Sequence, residues 1–248
     1  MRYFTTTDIG RVRDNNEDSY LNFSGENFNL FIICDGMGGH SAGEVASKMA
    51  SEIVSNEIIK NFNPNEIFDT IAHSVKVAHN KIFEESQNNE NYKGMGTTLI
   101  LALIHNDTLY YANVGDSRLY LYHNQELKQI TKDHSFVQEL LDSGAITEEE
   151  SKFYPKNRIT SALGTSINYK IDIDRLILNK KDYLLLTSDG LTDMIDDSDI
   201  LDVLKNEYEV DESCEILQYM ANSTGGKDNI TITLIEIEWG HYEWWIIK

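Results

Sequence analysis

Four aspartates lie at the ends of predicted β-strands, and three of them stand directly beside a glycine. They are Asp35, Asp116, Asp189 and Asp228. A single Asp-Gly pair is more typical of a turn than of a ligand site. Strand ends in a sandwich of sheets gather at one rim, however, and four such carboxylates beside the charged loop 13–18 favour a metal site.

The predicted ligands supply only oxygen atoms. Carboxylate, carbonyl and water ligands select Mg²⁺ or Mn²⁺ over Zn²⁺, which prefers His and Cys. Two such ions can share one aspartate and turn a bridging water into hydroxide, which is a nucleophile for in-line attack on phosphorus. The chemistry that these residue types indicate is therefore hydrolysis of a phosphate ester.

A cation is also needed to hold the phosphate oxygens that are not transferred. Arg13 suits this role because a guanidinium can bind two phosphate oxygens at once. The alternative is that Arg13 is a solvated loop residue, or that it forms an ion pair with Glu17 or Asp18.

The first aspartate belongs to the stretch 28–47, which reads FNLFIICDGMGGHSAGEVAS. The apolar run 30–34 predicts a buried strand that ends at Asp35. The glycines that follow would let a ligand approach the backbone closely. From about Ala42 the apolar residues recur at helical spacing, so this turn is predicted to lead into a helix.

The chain has an ordinary globular composition, with 41% hydrophobic and 25% charged residues among 248. Its net charge of −20 argues against binding to nucleic acid or to an anionic membrane surface. Cys34 and Cys214 stand far apart, without the spacing of a disulfide framework or a thiolate zinc site. No segment has the apolar length of a signal peptide or a membrane span. We therefore expect a cytoplasmic protein without a membrane span.

The order of the predicted elements indicates an α+β fold, and no linker-like segment divides the chain. Two amphipathic helices are predicted at about 42–62 and 65–87. Four short strands between residues 97 and 130 are joined by tight turns, which predicts an antiparallel meander. Further strands are predicted at 2–9, 20–23, 171–178, 183–187 and 229–237, with helices near 136–141, 199–207 and 212–223.

An ordered series of motifs resembles the metal-dependent type-2C Ser/Thr protein phosphatases (the PPM family), most of all their compact bacterial members. The matching segments are RDNNEDS (13–19), DGMGGHSAGEVAS (35–47), GMGTTL (94–99), ANVGDSRLY (112–120), KDHS (132–135), SDGLTD (188–193) and GGKDNIT (225–231). The resemblance implies a four-layer α-β-β-α sandwich, in which two central antiparallel sheets are flanked by helix pairs. It places a catalytic domain at 1–238 and leaves 239–248 as an aromatic tail beyond the family pattern.

The resemblance also implies the ligands of the catalytic metals, Mn²⁺ or Mg²⁺. Asp35 would bridge two ions, and the Gly36 carbonyl would ligate one of them. Asp189 and Asp228 would ligate the other ion.

Further residues around these ligands receive supporting roles from the same resemblance. Glu17 and Asp18 would act through metal-bound waters, and Arg13 would hold the substrate phosphate. Asp116 would help to bind a third ion, and Asn229 would support the site from beside its neighbour in the chain. The loop 134–157 would be a mobile flap that shapes access to the cleft.

The chain departs from the family pattern at two positions near the site. Eukaryotic members often place a His directly after Asp-Gly, where it is discussed as a general acid, whereas this chain has Met37 there. His40 is the substitute that we expect, with a metal-bound water, or a plain structural role for His40 at the start of the helix, as alternatives. Ser161 stands where Arg is usual, which puts a local contact in doubt and not the chemistry.

The expected function is hydrolysis of phosphoserine and phosphothreonine in proteins by a monomeric enzyme that opposes a Ser/Thr kinase. The expected partners are that kinase and its phosphorylated substrates. The same chemistry would serve a hydrolase of small phosphate esters or of phosphorylated anti-sigma-antagonist proteins, which sequence cannot separate. A non-catalytic phosphoprotein-binding module is disfavoured because Asp35, Asp189 and Asp228 are all present, and a nuclease because no basic surface exists.

Overall fold

The computed structural model describes residues 1–38, 42–151, 153–155, 158–165 and 169–238. His40 and the aromatic tail lie outside the described residues. In the described ranges, no helix combines the length and the apolar character needed to cross a membrane.

Two antiparallel sheets and the helices outside them account for most of the described chain. The strands are β1 (Arg2–Asp8), β2 (Asp18–Ser24), β3 (Asn29–Met37), β4 (Gly96–Thr97), β5 (Leu99–His105), β6 (Thr108–Val114), β7 (Arg118–His123), β8 (Glu126–Gln129), β9 (Asp172–Ile177), β10 (Tyr183–Thr187) and β11 (Ile230–Glu236). The α-helices are α1 (Ala42–Asn61), α2 (Ile67–Asn88), α3 (Phe136–Asp142), α4 (Glu148–Ser151), α5 (Asp189–Thr192), α6 (Asp197–Lys205) and α7 (Val210–Ser223), with a short 3₁₀ turn at Glu90–Tyr92.

One sheet has the strand order β2-β3-β5-β6-β9, with β4 paired to the end of β3, and the other has the order β1-β11-β10-β7-β8. Alternate residues of β3 show how the layers stack. Leu30, Ile32 and Cys34 pack toward α1 and α2, whereas Phe31 and Ile33 join side chains of the second sheet between the two sheets. The continuous apolar run of β3 is thus explained by burial on both faces.

The second sheet has its own helical cover, in which apolar residues of α6 and α7 pack on β10 and β11. Helices α1 and α2, the two sheets, and helices α6 and α7 therefore form four layers. This confirms the predicted α+β class with two central antiparallel sheets flanked by helices.

Two details of the prediction are wrong, and both concern the site. The strand predicted to end at Asp35 continues to Met37, because β4 pairs with Gly36 and Met37. The predicted meander is split, because β6 pairs in one sheet with β5 and β9 whereas β7 pairs in the other with β10 and β8. The chain crosses between the sheets at residues 115–117 and carries Asp116 into the gap.

Candidate active site

A cavity of about 210 Å³ opens where the ends of the two sheets meet. It brings together the sequence-predicted residues Arg13, Glu17, Asp35, Gly36, Asp116, Asp189 and Asp228. Met37, Gly38, Thr98 and Ile159 complete its walls. Asp18 lies next to this cavity rather than in its wall, as the register partner of Asp35 across β2 and β3.

Thr98 holds the backbone of Asp35 through two hydrogen bonds. Its N–H donates to Thr98 Oγ1 at 2.9 Å, and its carbonyl accepts from the Thr98 N–H at 2.9 Å. The neighbouring Asp18 carboxylate is fixed by Ser188 Oγ, which donates to Asp18 Oδ2 at 2.7 Å. Hydrogen bonds therefore hold both of these residues, which are register partners on neighbouring strands.

Gly36 is required by close packing of the backbone. A Cβ at this position would lie 2.1 Å from the Gly43 carbonyl oxygen and 2.6 Å from the Glu17 carbonyl oxygen. The Gly36 N–H donates to that same Glu17 carbonyl at 3.0 Å. The absence of a side chain thus lets β3, the first turn of α1 and the loop before β2 meet at one point.

Asp189 begins α5, directly after β10. Asp193 follows it by four residues, the spacing that places side chains on one face of a helical turn. Electrostatic repulsion from Asp193 acts on both Asp189 and Asp116, so these three carboxylates form one group at the gap between the sheets.

Asp228 pairs with Arg13 at the mouth of the cavity. The Arg13 Nη2 atom donates to Asp228 Oδ2 at 2.6 Å, and the arginine side chain is 50% exposed. Asn229 organises the loop that carries Arg13: its Oδ1 accepts from the Glu17 N–H at 2.8 Å, and its Nδ2 donates to the Asn15 carbonyl at 2.9 Å. The supporting role expected for Asn229 thus has a visible structural basis.

Burial is the main reason why the carboxyl groups of this site resist ionisation. It raises the pKa of Asp35 well above its usual range, and the charges of Asp18 and Asp189 raise it further. Burial and then the charge of Asp116 act in the same direction on the pKa of Asp189. Burial also raises the pKa of Asp18 to about 6 and that of Asp116 to about 7.

The donor set fits a hard divalent cation. The Oδ1 atoms of Asp18 and Asp189 are buried and have no hydrogen-bond partner, so Asp189 has an oxygen to offer to a cation and Asp18 has one to offer to a cation-bound water. Within the described residues, no group of three or more His, Cys, Asp or Glu side chains could hold a metal ion by itself. Carbonyl and water ligands would have to complete the coordination, as Mg²⁺ commonly requires.

Sequence reasoning assigned no role to Asp193 or Thr98. The signal for Asp193 was its spacing of four residues after Asp189 in the segment SDGLTD, which becomes informative once that segment is known to be a helical turn. Thr98 lies in the segment GMGTTL, but only the structure shows that its hydroxyl holds Asp35.

Comparisons with known proteins identify the family of this chain. The model of the family described as Protein phosphatase 2C matches residues 11–229. Protein phosphatase PhpP of Streptococcus pneumoniae is 41% identical over 244 residues, which cover 96% of this chain and 98% of that protein.

Solved structures show the same fold. The serine/threonine phosphatase of S. agalactiae superposes with a TM-score of 0.90 at 38% identity, covering 96% of this chain and 99% of that one. The catalytic domain of the phosphatase PstP, solved in complex with two manganese ions, superposes with a TM-score of 0.85 at 35% identity, covering 96% of this chain and 98% of that one. The chain therefore belongs to the protein phosphatase 2C family of metal-dependent protein serine/threonine phosphatases.

Proposed function

We propose that this protein removes phosphate from phosphoserine and phosphothreonine of proteins and so opposes a Ser/Thr kinase, acting as a monomer in the cytoplasm. One observation carries the proposal: buried carboxylates of Asp18 and Asp189 keep unpartnered oxygens beside a cavity that also contains Arg13. The two manganese ions of the PstP structure support the use of such a site for metal. Two free, buried cysteines are consistent with a reducing compartment.

The metal ligands in this proposal are the strand-end acids. Asp35 with the Gly36 carbonyl, and Asp189 with Asp228, would hold two Mn²⁺ or Mg²⁺ ions, while Glu17 and Asp18 would act through water. Asp116 would contribute to a third ion, and its proximity to Asp193 makes Asp193 the natural second ligand there. When bound, the ions would activate a water as the nucleophile and would supply positive charge against the phosphate oxygens.

Arg13 holds the phosphate in this proposal. Its hydrogen bond to Asp228 uses Nη2, which leaves Nη1 as a donor for a phosphate oxygen. The exposed position of the side chain at the mouth of the cavity suits a residue that meets the substrate first. The hydrogen bond from the Glu17 N–H to Asn229 Oδ1 holds the loop 13–18 in place, so that the Arg13 guanidinium stays close to the carboxylates.

His40 is our candidate for the general acid that protonates the departing serine or threonine oxygen. A His40→Asn variant would then lose rate on a phosphothreonine peptide but retain it on 4-nitrophenyl phosphate, whose leaving group needs no proton. Equal losses on both substrates would exclude this role.

The direct test is phosphate release from a phosphothreonine peptide by the purified protein, with Mn²⁺, with Mg²⁺ and with a chelator. We expect metal-dependent release that collapses in Asp35→Asn and in Asp189→Asn. Asp211→Asn, on the exposed face of α7, is the matched control and should keep full activity. Absence of release from the folded, metal-loaded wild type would refute the proposal.

A further inference from the structure

A second and larger cavity, of about 880 Å³, adjoins the active site. Asp116 and Asp189 line both cavities, so the larger one opens directly onto the place where the phosphate is processed. One side is formed by α3 and α4, and the other by the region from α5 to the start of α6. We call this larger cavity the flanking groove.

The walls of the flanking groove are strongly acidic. Its carboxylates are Asp116, Asp133, Glu148, Glu149, Asp189, Asp193, Asp196 and Asp197. Arg118 is the one basic residue among the described lining residues, and its guanidinium is occupied by Asp133 through hydrogen bonds of 2.7 to 3.1 Å. Asp116, Asp189 and Asp193 belong to the proposed metal sites, so the negative field of the groove comes from Glu148, Glu149, Asp196 and Asp197, which this arginine does not offset.

The groove is not acidic alone, because Val137, Leu141 and Ile195 give it apolar surface as well. A lysine or arginine side chain has a matching pair of features, an aliphatic stem and a charged end. In the wall shared with the active site, Asp116 is only 9% exposed and the buried Oδ1 of Asp189 has no partner. These two residues belong to the proposed metal sites, so a side chain bound in the groove would lie beside the reacting phosphate.

We propose that the flanking groove binds lysine or arginine side chains close to the phosphorylated residue, so that the preferred substrates are phosphoproteins with basic sequences around that residue. This inference rests on the proposed function, because a phosphopeptide whose phosphate lies at Arg13 must extend over the neighbouring surface. Cationic flanks also offset the repulsion between a phosphorylated chain and a protein of net charge −20.

Glu148 and Glu149 are the residues through which this can be tested. Both are exposed, both lie in the short helix α4, and neither belongs to the proposed catalytic machinery. The double variant Glu148→Lys with Glu149→Lys reverses charge in the groove. The double variant Glu212→Lys with Glu215→Lys makes the same change on exposed positions of α7 outside the groove and serves as the matched control.

The experiment compares kcat/KM for two phosphothreonine peptides that differ only in flanking arginines or alanines, with Mn²⁺ present, and adds 4-nitrophenyl phosphate as a substrate without flanks. We expect the wild type to prefer the arginine peptide by about tenfold at low salt, with a preference that falls as salt screens the charges. The groove variant should retain a preference of about twofold or less, while the control variant keeps that of the wild type. All three proteins should hydrolyse 4-nitrophenyl phosphate at similar rates.

Equal kcat/KM for the two peptides in an active wild type would overturn this inference and leave the proposed function intact. The same holds if the groove variant keeps the full preference. If the wild type hydrolysed neither peptide nor 4-nitrophenyl phosphate, this result would instead refute the proposed function and the inference with it.

Discussion

The acids at the bottom of the active site and those on the exposed helices α3 and α4 are the same types of residue in opposite surroundings. Burial raises the pKa of Asp18, Asp35 and Asp189 at the bottom. On α3 and α4, hydrogen bonds from Lys132 and from Thr147 lower the pKa values of Asp142 and Glu150. Position, and not residue type, therefore separates the two groups: burial and neighbouring carboxylates oppose ionisation of the buried acids, whereas neighbours and water stabilise the charge of the exposed ones.

Removing one buried acid should give the largest effect. We expect Asp189→Asn to lower kcat/KM for a phosphothreonine peptide by about a thousandfold or more, because the proposed metal ligand is lost. In the presence of a chelator, the same variant should be more stable than the wild type by about 1 kcal/mol, because folding no longer has to bury this carboxylate or take up a proton to neutralise it.

Thermal unfolding of both proteins with chelator checks the second part of this prediction, and Asp211→Asn, at an exposed position of α7, is the control for both assays. A less stable Asp189→Asn protein would show that burial does not oppose ionisation at this position.

Arg13 stands between the two regions, since it pairs with Asp228 but is half exposed. We expect Arg13→Ala to lower kcat/KM by about fiftyfold, mainly through KM, because the proposed charge-assisted contact to the phosphate is lost. Arg13→Lys should recover part of this loss, since it restores the charge but not the planar fork.

Steady-state kinetics on the peptide would measure the effect of each change, with Arg11→Ala as a control on the same loop. An unchanged KM in Arg13→Ala would argue that Arg13 only supports Asp228.

The stability of the chelated protein should depend on pH through the buried acids. Asp18 and Asp116, with pKa values of about 6 and about 7, bind protons in the folded state at pH values where the unfolded chain has released them. The free energy of unfolding should therefore rise as the pH falls from about 8 to about 5.5, by on the order of 2 kcal/mol.

Urea unfolding at several pH values tests this sign. Added Mn²⁺ should reduce the pH dependence, because protons and metal compete for the same oxygens. A stability that falls steadily across this range would contradict the prediction.

The smallest effect is expected when the hydrogen bond between the Asp35 N–H and the Thr98 hydroxyl is removed. Thr98→Val removes the acceptor of the Asp35 N–H and should destabilise the fold by about 1 kcal/mol and lower kcat by about threefold. Thr98→Ser keeps the hydroxyl and should match the wild type in both assays. If the two variants behaved alike, the hydroxyl would have no part in holding Asp35.

Much of the fold could be predicted from sequence because its signals are local. Alternating and continuous apolar runs located the strands, and the turn residues located their ends. The split between β6 and β7 could not be predicted, because a crossing at Gly115 and Asp116 looks the same in sequence as a tight turn within one sheet. Pairing is decided by contacts between distant segments, such as that of β7 with β10.

The candidate site was likewise predictable only in part. Asp35, Asp116, Asp189 and Asp228 were recognisable because each follows or precedes an apolar strand, and the structure places all four around one cavity. The flanking groove was not predictable, since its walls come from segments more than fifty residues apart, such as Asp133 and Asp197.

The positions of the acids also have a mechanical consequence. Asp18 and Asp35 belong to the six-stranded sheet, whereas Asp189 and Asp228 adjoin strands β10 and β11 of the five-stranded sheet. Ions held by both pairs would connect the two sheets at one end, where apolar packing gives way to the cleft. Bound metal would then reduce the opening motions that separate the two sheets, and amide exchange near the cleft would slow in both sheets at once.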